Sequence, residues 1–132
     1  MITEHFVRAQ FAPWESGDPS PWFQSLPDKG YFHVCGTLNP PAGTYKSKAE
    51  LFAINEKVIS KFSRSESPVG KITNVLMSGD SAVVEIFFQA VAKNGWKFEQ
   101  EMCFVCKYEK EICVSVRMYT DSAAEAKLFE EN

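Results

Sequence analysis

Hydrophobic and polar positions alternate with a period of two over three runs near the C-terminus, Ser81–Ala92, Lys97–Lys107 and Glu111–Tyr119. Such alternation predicts half-buried strands. The first two runs meet at Lys93-Asn94-Gly95-Trp96, and Asn-Gly between alternating runs is the strongest short hairpin signal. Taken as a two-residue loop, it pairs Lys93 with Trp96 and sets Gln89, Phe87 and Glu85 opposite Gln100, Met102 and Phe104. Taking Glu109-Lys110 as the second loop pairs Gln100, Met102 and Phe104 with Tyr119, Arg117 and Ser115. Cross-strand partners share a face. One face is therefore expected to carry Glu85, Phe87, Gln89, Gln100, Met102, Phe104, Ser115, Arg117 and Tyr119. The other is expected to carry Val84, Ile86, Phe88, Ala90, Cys103, Val105, Val114, Val116 and Met118. The first, polar but studded with large side chains, suits a ligand pocket; the second, almost purely apolar, suits a partner.

Upstream the period changes to that of a helix. Phe6, Val7, Gln10, Phe11 and Trp14 predict an amphipathic helix over Thr3–Trp14, limited by Pro13. Asp18 as N-cap with Pro19 at the first helical position predicts a second, short helix to Leu26. A strand over Tyr31–Gly36 and an irregular loop through Asn39-Pro40-Pro41-Ala42-Gly43 follow. The capping box Ser47-x-x-Glu50 opens a helix to about Phe62, with Leu51, Phe52, Ile54, Val58, Ile59 and Phe62 on its apolar side. Lys71–Met77 reads as a strand, and a second capping box, Ser122-x-x-Glu125, starts a last helix. The order α-α-β-α-β-β-β-β-α predicts an α+β domain over 1–132, with helices laid on one face of a curved antiparallel sheet.

Composition narrows the function classes. Eleven Phe and three Trp in 132 residues supply ample core material. A net charge of −3 argues against nucleic acid, whose phosphates need clustered Lys and Arg. No apolar run approaches the ~18 residues of a membrane span. The segment Met1-Ile2-Thr3-Glu4-His5 lacks the basic and apolar regions of a signal peptide, so a cytoplasmic protein is expected. Cys103-x-x-Cys106 falls within a strand, where residues three apart point to opposite faces. Free thiols are expected rather than a metal site, and no cofactor motif is present.

Several stretches carry a family resemblance: Glu15-Ser16-Gly17-Asp18, Pro41-Ala42-Gly43-Thr44-Tyr45, Ser78-Gly79-Asp80-Ser81-Ala82-Val83-Val84-Glu85, Asn94-Gly95 and Val116-Arg117-Met118-Tyr119-Thr120-Asp121. In this order they resemble the nuclear-transport-factor-two-like superfamily, in its SnoaL-like and ketosteroid-isomerase-related branch. The resemblance implies a cone-shaped curved sheet wrapped on N-terminal helices, a cystatin-like α+β barrel enclosing an apolar cavity. It implies that positions matching Ser115, Arg117 and Tyr119 line that cavity. It also implies a homodimer through the outer sheet face, here the stripe Val84, Ile86, Phe88, Val105, Val114, Val116 and Met118. His33 matches the proton-shuttling aspartate of the ketosteroid isomerases, while Gln10 and Met102 stand where their oxyanion-hole residues lie. A methionine donates no hydrogen bond, so steroid isomerisation is not implied.

Candidate chemistry is weighed residue by residue. His33 is either a general base or a histidine bonded to a neighbour. Arg117 either holds a ligand carboxylate or pairs with Glu85. Tyr119 and Gln100 either donate to a ligand or pack. Asp121 is a catalytic carboxylate or a helix-start residue, and Trp14 and Met102 are expected at the cavity wall. The expected function is binding of a compact apolar molecule with one polar group. Cofactor-independent acid/base chemistry would accompany it, in an isomerase, cyclase or hydrolase. The alternative is a non-catalytic binding or dimerisation module.

Overall fold

Thr3 opens the first helix by accepting the Phe6 N–H on its hydroxyl (3.1 Å), and α1 spans Glu4–Phe11. Pro13 has no N–H to continue it. The chain tightens instead into a 3-10 turn over Ala12–Ser16 that ends on Gly17, whose φ of 87° suits glycine. Helix α2 (Ser20–Ser25) starts one residue later than expected: Pro19 is its N-cap, without a side-chain cap, and Asp18 before it accepts the backbone N–H and the hydroxyl of Ser20. The computed structural model describes residues 2–38 and 41–132. Met1, and Asn39 and Pro40 of the expected loop, lie outside the described residues.

Six strands follow, interrupted by one helix: β1 (Lys29–Val34), β2 (Gly43–Ser47), α3 (Lys48–Ile59), β3 (Val69–Ser78), β4 (Ser81–Val91), β5 (Lys97–Glu109) and β6 (Ile112–Tyr119). Helix α4 spans Ser122–Glu131. They form one sheet in the order β2-β1-β6-β5-β4-β3, parallel between β1 and β6 and antiparallel elsewhere. This is the expected α+β cone of a curved sheet and helices. Strand β2 is an addition, a short edge strand where the sequence suggested only a loop and a helix approach. Ser47 caps α3 as expected, accepting the Glu50 N–H at 3.1 Å. The helix ends before Phe62, which instead bridges to Ala92.

The strand registers differ from those expected, and the turns explain why. At the first hairpin the Gly95 N–H donates to the Ala92 carbonyl and the Ala92 N–H donates to the Trp96 carbonyl (2.9 and 2.8 Å). Gly95 alone of the turn residues has positive φ, 88°. This is a three-residue loop, Lys93-Asn94-Gly95, ending on a left-handed glycine rather than a two-residue type I′ turn. One added loop residue moves Phe88 opposite Gln100 and Ile86 opposite Met102, turning every side chain of β4 to the other face. At the second hairpin the loop is Lys110-Glu111, both with positive φ, and a bulge at Val114 adds a further step. Phe104 therefore pairs with Met118 and Val105 with Arg117.

Consequently Val84, Ile86, Phe88, Ala90, Val116 and Met118 do not form an outer stripe; they are buried on the concave face with Phe98, Gln100, Met102 and Phe104. Glu85, Phe87, Gln89, Ser115, Arg117 and Tyr119 lie on the convex face instead. Cys103 and Cys106 do point to opposite sides, the first half-buried and the second fully buried. Against the concave face the N-terminal helices set a cluster of aromatic rings. Trp22 has centroids of Phe11, Trp14, Phe23 and Phe104 within 5.0–5.9 Å, in tilted or edge-on arrangements that aromatic quadrupoles favour.

Candidate ligand-binding site

Helix α3 packs against β1 and β2 at the edge of the sheet and stands away from its centre. It therefore buries only Leu51 fully. Ile54, Val58 and Ile59, at helical spacing on the same side, are half-buried because they face a cavity rather than another layer. That cavity has a volume of about 300 Å³, at the small end of ligand pockets. Trp14, Phe23 and Pro19 close it from the N-terminal helices. Val34, Gly70, Phe88, Met102, Phe104 and Met118 form its floor from β1, β3, β4, β5 and β6. Gly70 is closely packed there: a Cβ would sit 3.0 Å from the Trp14 ring and 3.1 Å from Ile86, so a neighbour would have to shift slightly to admit one.

The polar groups of the wall gather where β6 runs into α4. The Asp121 N–H donates to Gln100 Oε1 at 3.0 Å, which fixes the amide so that its NH2 is the free end. Among the described residues no acceptor meets that NH2, although Gln100 is only 6% exposed. The neighbouring residue, Thr120, donates its hydroxyl to Glu125 Oε1 at 2.5 Å. Glu125 is 4% exposed and sits in the cavity wall with no cation beside it. Burial pushes its carboxyl above the ordinary carboxylate range; the Thr120 hydroxyl pulls the other way, and the nearby Asp121 carboxylate adds to the rise. Among the described residues no group of three His, Cys, Asp or Glu is arranged to hold a metal ion.

Of the residues picked from the sequence, Trp14, Gln100 and Met102 lie in the cavity wall. The others do not: the registers turn Glu85, Arg117 and Tyr119 outward, His33 faces outward on β1, and Asp121 lies beyond β6 as a helix cap. His33 sits between the inward-facing Phe32 and Val34, and its Nδ1 meets the Thr44 hydroxyl at 2.8 Å on the outside of the sheet. Arg117 and Tyr119 are exposed on the convex face. Glu85 is exposed there too, bonded to Asn74 Nδ2 at 3.0 Å and not paired with Arg117. Asp121 is the N-cap of α4, accepting the Ala124 N–H at 3.1 Å, a place the sequence assigned to Ser122. That assignment also made Glu125 a capping-box partner. Its burial shows only once β6 delivers Thr120 to the cavity.

The raised proton affinity of Glu125 has a measurable consequence. Folded, Glu125 holds its proton more tightly than unfolded, where it titrates near 4.5. Between 4.5 and the raised folded value the native chain binds more protons, so stability falls as pH rises through that window. Glu125→Gln removes the effect. The variant is expected to gain stability relative to the wild type across that window and to hold a constant difference above it, as followed by thermal unfolding against pH.

No protein-family model matches the chain, and no curated protein matches it in sequence. Solved structures do. An NTF2-like protein of unknown function from Burkholderia pseudomallei K96243 superimposes with a TM-score of 0.77 at 19% identity, covering 94% of both chains. A hypothetical protein with a ketosteroid isomerase-like fold from Catenulispora acidiphila, in complex with trimethylamine, gives 0.68 at 17% identity, over 89% of this chain and 86% of that one. The chain has the NTF2-like, ketosteroid isomerase-like fold. TerC, co-crystallised with polyporic acid, has it as well, with a TM-score of 0.77 at 12% identity over 96% of each chain. No helix among the described residues is long and apolar enough to cross a membrane.

Proposed function

We propose that this NTF2-like protein binds a compact, largely apolar small molecule in the cavity beneath α3, with the ligand's polar group at the Gln100–Thr120–Glu125 end. The observation that carries the reading is the helix α3 itself. Its Ile54, Val58 and Ile59 remain half-buried over an apolar cavity of about 300 Å³ instead of collapsing onto Phe88 and Met102. The neighbours solved with trimethylamine and with polyporic acid support small-molecule binding on this fold. Glu125 replaces His33 and Asp121 as the acid/base group of this reading, since a carboxyl in an apolar wall with an elevated proton affinity suits proton transfer to a bound ligand. The test is thermal unfolding in the presence of compact apolar compounds bearing one polar group. A ligand at 100 times its Kd stabilises by about 2.7 kcal/mol, a shift of several degrees. A broad panel that shifts nothing refutes the reading.

We also infer a homodimer, now through the true convex face. Leu76, Val83 and Val105 form a cross-strand row there, and Leu76 is 57% exposed. Glu85, Glu99 and Glu101 alternate on this face with Lys71, Lys97, Lys107 and Arg117, so the surround of the apolar row carries both signs of charge. Leu76→Asp is expected to shift a dimer to monomer in sedimentation equilibrium; a wild type that is monomeric at high concentration contradicts it. Four free cysteines suit a reducing compartment such as the cytoplasm.

A further inference from the structure

We propose that the cavity selects a compact ammonium compound that also carries a hydroxyl or carbonyl oxygen, and rejects anions of the same shape. This rests on the small-molecule reading and adds the ligand's charge to it. The chain has fourteen Lys and Arg, yet none of them lines the cavity. Its titratable wall groups are all carboxyls: Glu125 within, Asp18 and Glu56 exposed at the mouth. Nearby lysines are engaged elsewhere. Lys48 Nζ donates to the Gln24 carbonyl at 3.2 Å, Lys127 lies over Trp96 and Lys61 over Phe129.

An anion entering this space loses its hydration, meets no counter-charge and passes two exposed carboxylates at the mouth. An ammonium beside Glu125 instead draws that carboxyl toward its charged form. Glu125 has only Oε1 engaged, by Thr120, leaving its second oxygen to accept from the ligand. Trp14, Phe23, Phe88 and Phe104 line the path, and an aromatic wall of this kind offers cation–π attraction. The second half of the proposal comes from Gln100, which is 94% buried by its 6% exposure and presents an amide NH2 without an acceptor. That NH2 opens on the cavity, where a ligand oxygen can take the place of water. Gln100 and Glu125 are tied to the consecutive residues Asp121 and Thr120, so one ligand reaching this corner can meet both.

Three probes of one skeleton test it by isothermal titration calorimetry: 2-amino-1-phenylethanol, 1-phenylethane-1,2-diol and mandelate. The amine is expected to bind about tenfold more tightly than the diol, with mandelate undetectable. Glu125→Gln is expected to bring the amine to the level of the diol while leaving the diol within about twofold, and Glu56→Gln to cost the amine only a few-fold. Should Glu125→Gln fail to fold, the wild-type order of the three probes decides alone. Mandelate or the diol binding as tightly as the amine overturns the charge selection and leaves the small-molecule reading standing. If none of the three binds at millimolar concentration, the small-molecule reading falls and the charge selection with it.

Discussion

Trp22→Ala is expected to destabilise the protein by about 3–5 kcal/mol, a large share of the roughly 5–15 kcal/mol that holds an ordinary domain folded. The indole is 1% exposed and touches four other rings, so its removal leaves a cavity that rigid neighbours cannot collapse to fill. The site of the loss matters as much as its size. Trp22 ties α2 and the 3-10 turn to Phe104 at the centre of the sheet, and those two elements form one wall of the cavity. Trp22→Phe is expected to cost much less. It keeps a ring in contact with Phe11 and Phe23, and it removes an indole N–H that is buried without an acceptor. Urea unfolding separates the two variants; equal losses would mean that the cluster tolerates a void and that packing around α2 is loose.

The second large effect falls on binding rather than folding. Met102 is 7% exposed, in the cavity floor between Ile86 on β4 and the β6 end that carries Thr120. Met102→Trp projects the larger ring into existing space rather than into packed atoms, so the stability change is expected to stay within about 1.5 kcal/mol. The same ring occupies much of a cavity of only about 300 Å³. Ligand affinity is expected to fall by at least a hundredfold, and ligand-induced thermal stabilisation to vanish. Retained binding in a folded Met102→Trp variant would place the ligand elsewhere on the molecule.

The sequence and the structure agree on the larger pattern and part at the turns. Helical spacing from Phe6 to Trp14, the Asp18 and Ser47 caps and the alternation after Ser81 are local signals, and each of those elements forms. Face assignment is not local in the same sense, because it depends on the parity of a loop and on a bulge. Asn94-Gly95 is compatible with both a two- and a three-residue loop, and the residue Lys93 decides between them by joining the turn instead of the ladder. Lys110 and Glu111 adopt positive φ without the glycine or asparagine that would have announced it. The bulge at Val114 leaves no mark in the residue pattern. The added residue of the first loop sent Glu85 outside and the bulge sent Arg117 and Tyr119 outside, while Gln100 and Met102 stayed within. The one-residue move of the second loop shifts the register by two and changes no face. Burial patterning carried a usable warning: the run Val84, Ile86, Phe88, Ala90 is more apolar than Glu85, Phe87, Gln89, and the more apolar face of a strand in a single sheet belongs against the helices. Glu125 was hidden differently, since a carboxyl three residues into a helix reads as a capping partner whatever its depth.

The cavity's role in binding is tested most directly by methyl resonances of the four methionines. Met102 and Met118 line the cavity, whereas Met77 packs on β3 away from it, so the protein carries its own reporter and its own control. In methyl-labelled protein titrated with 2-amino-1-phenylethanol or 1-phenylethane-1,2-diol, the Met102 and Met118 signals are expected to shift together and saturably, while Met77 holds its position. Saturable binding that leaves Met102 and Met118 unmoved would contradict the account, and so would a titration that moves no methionine at all.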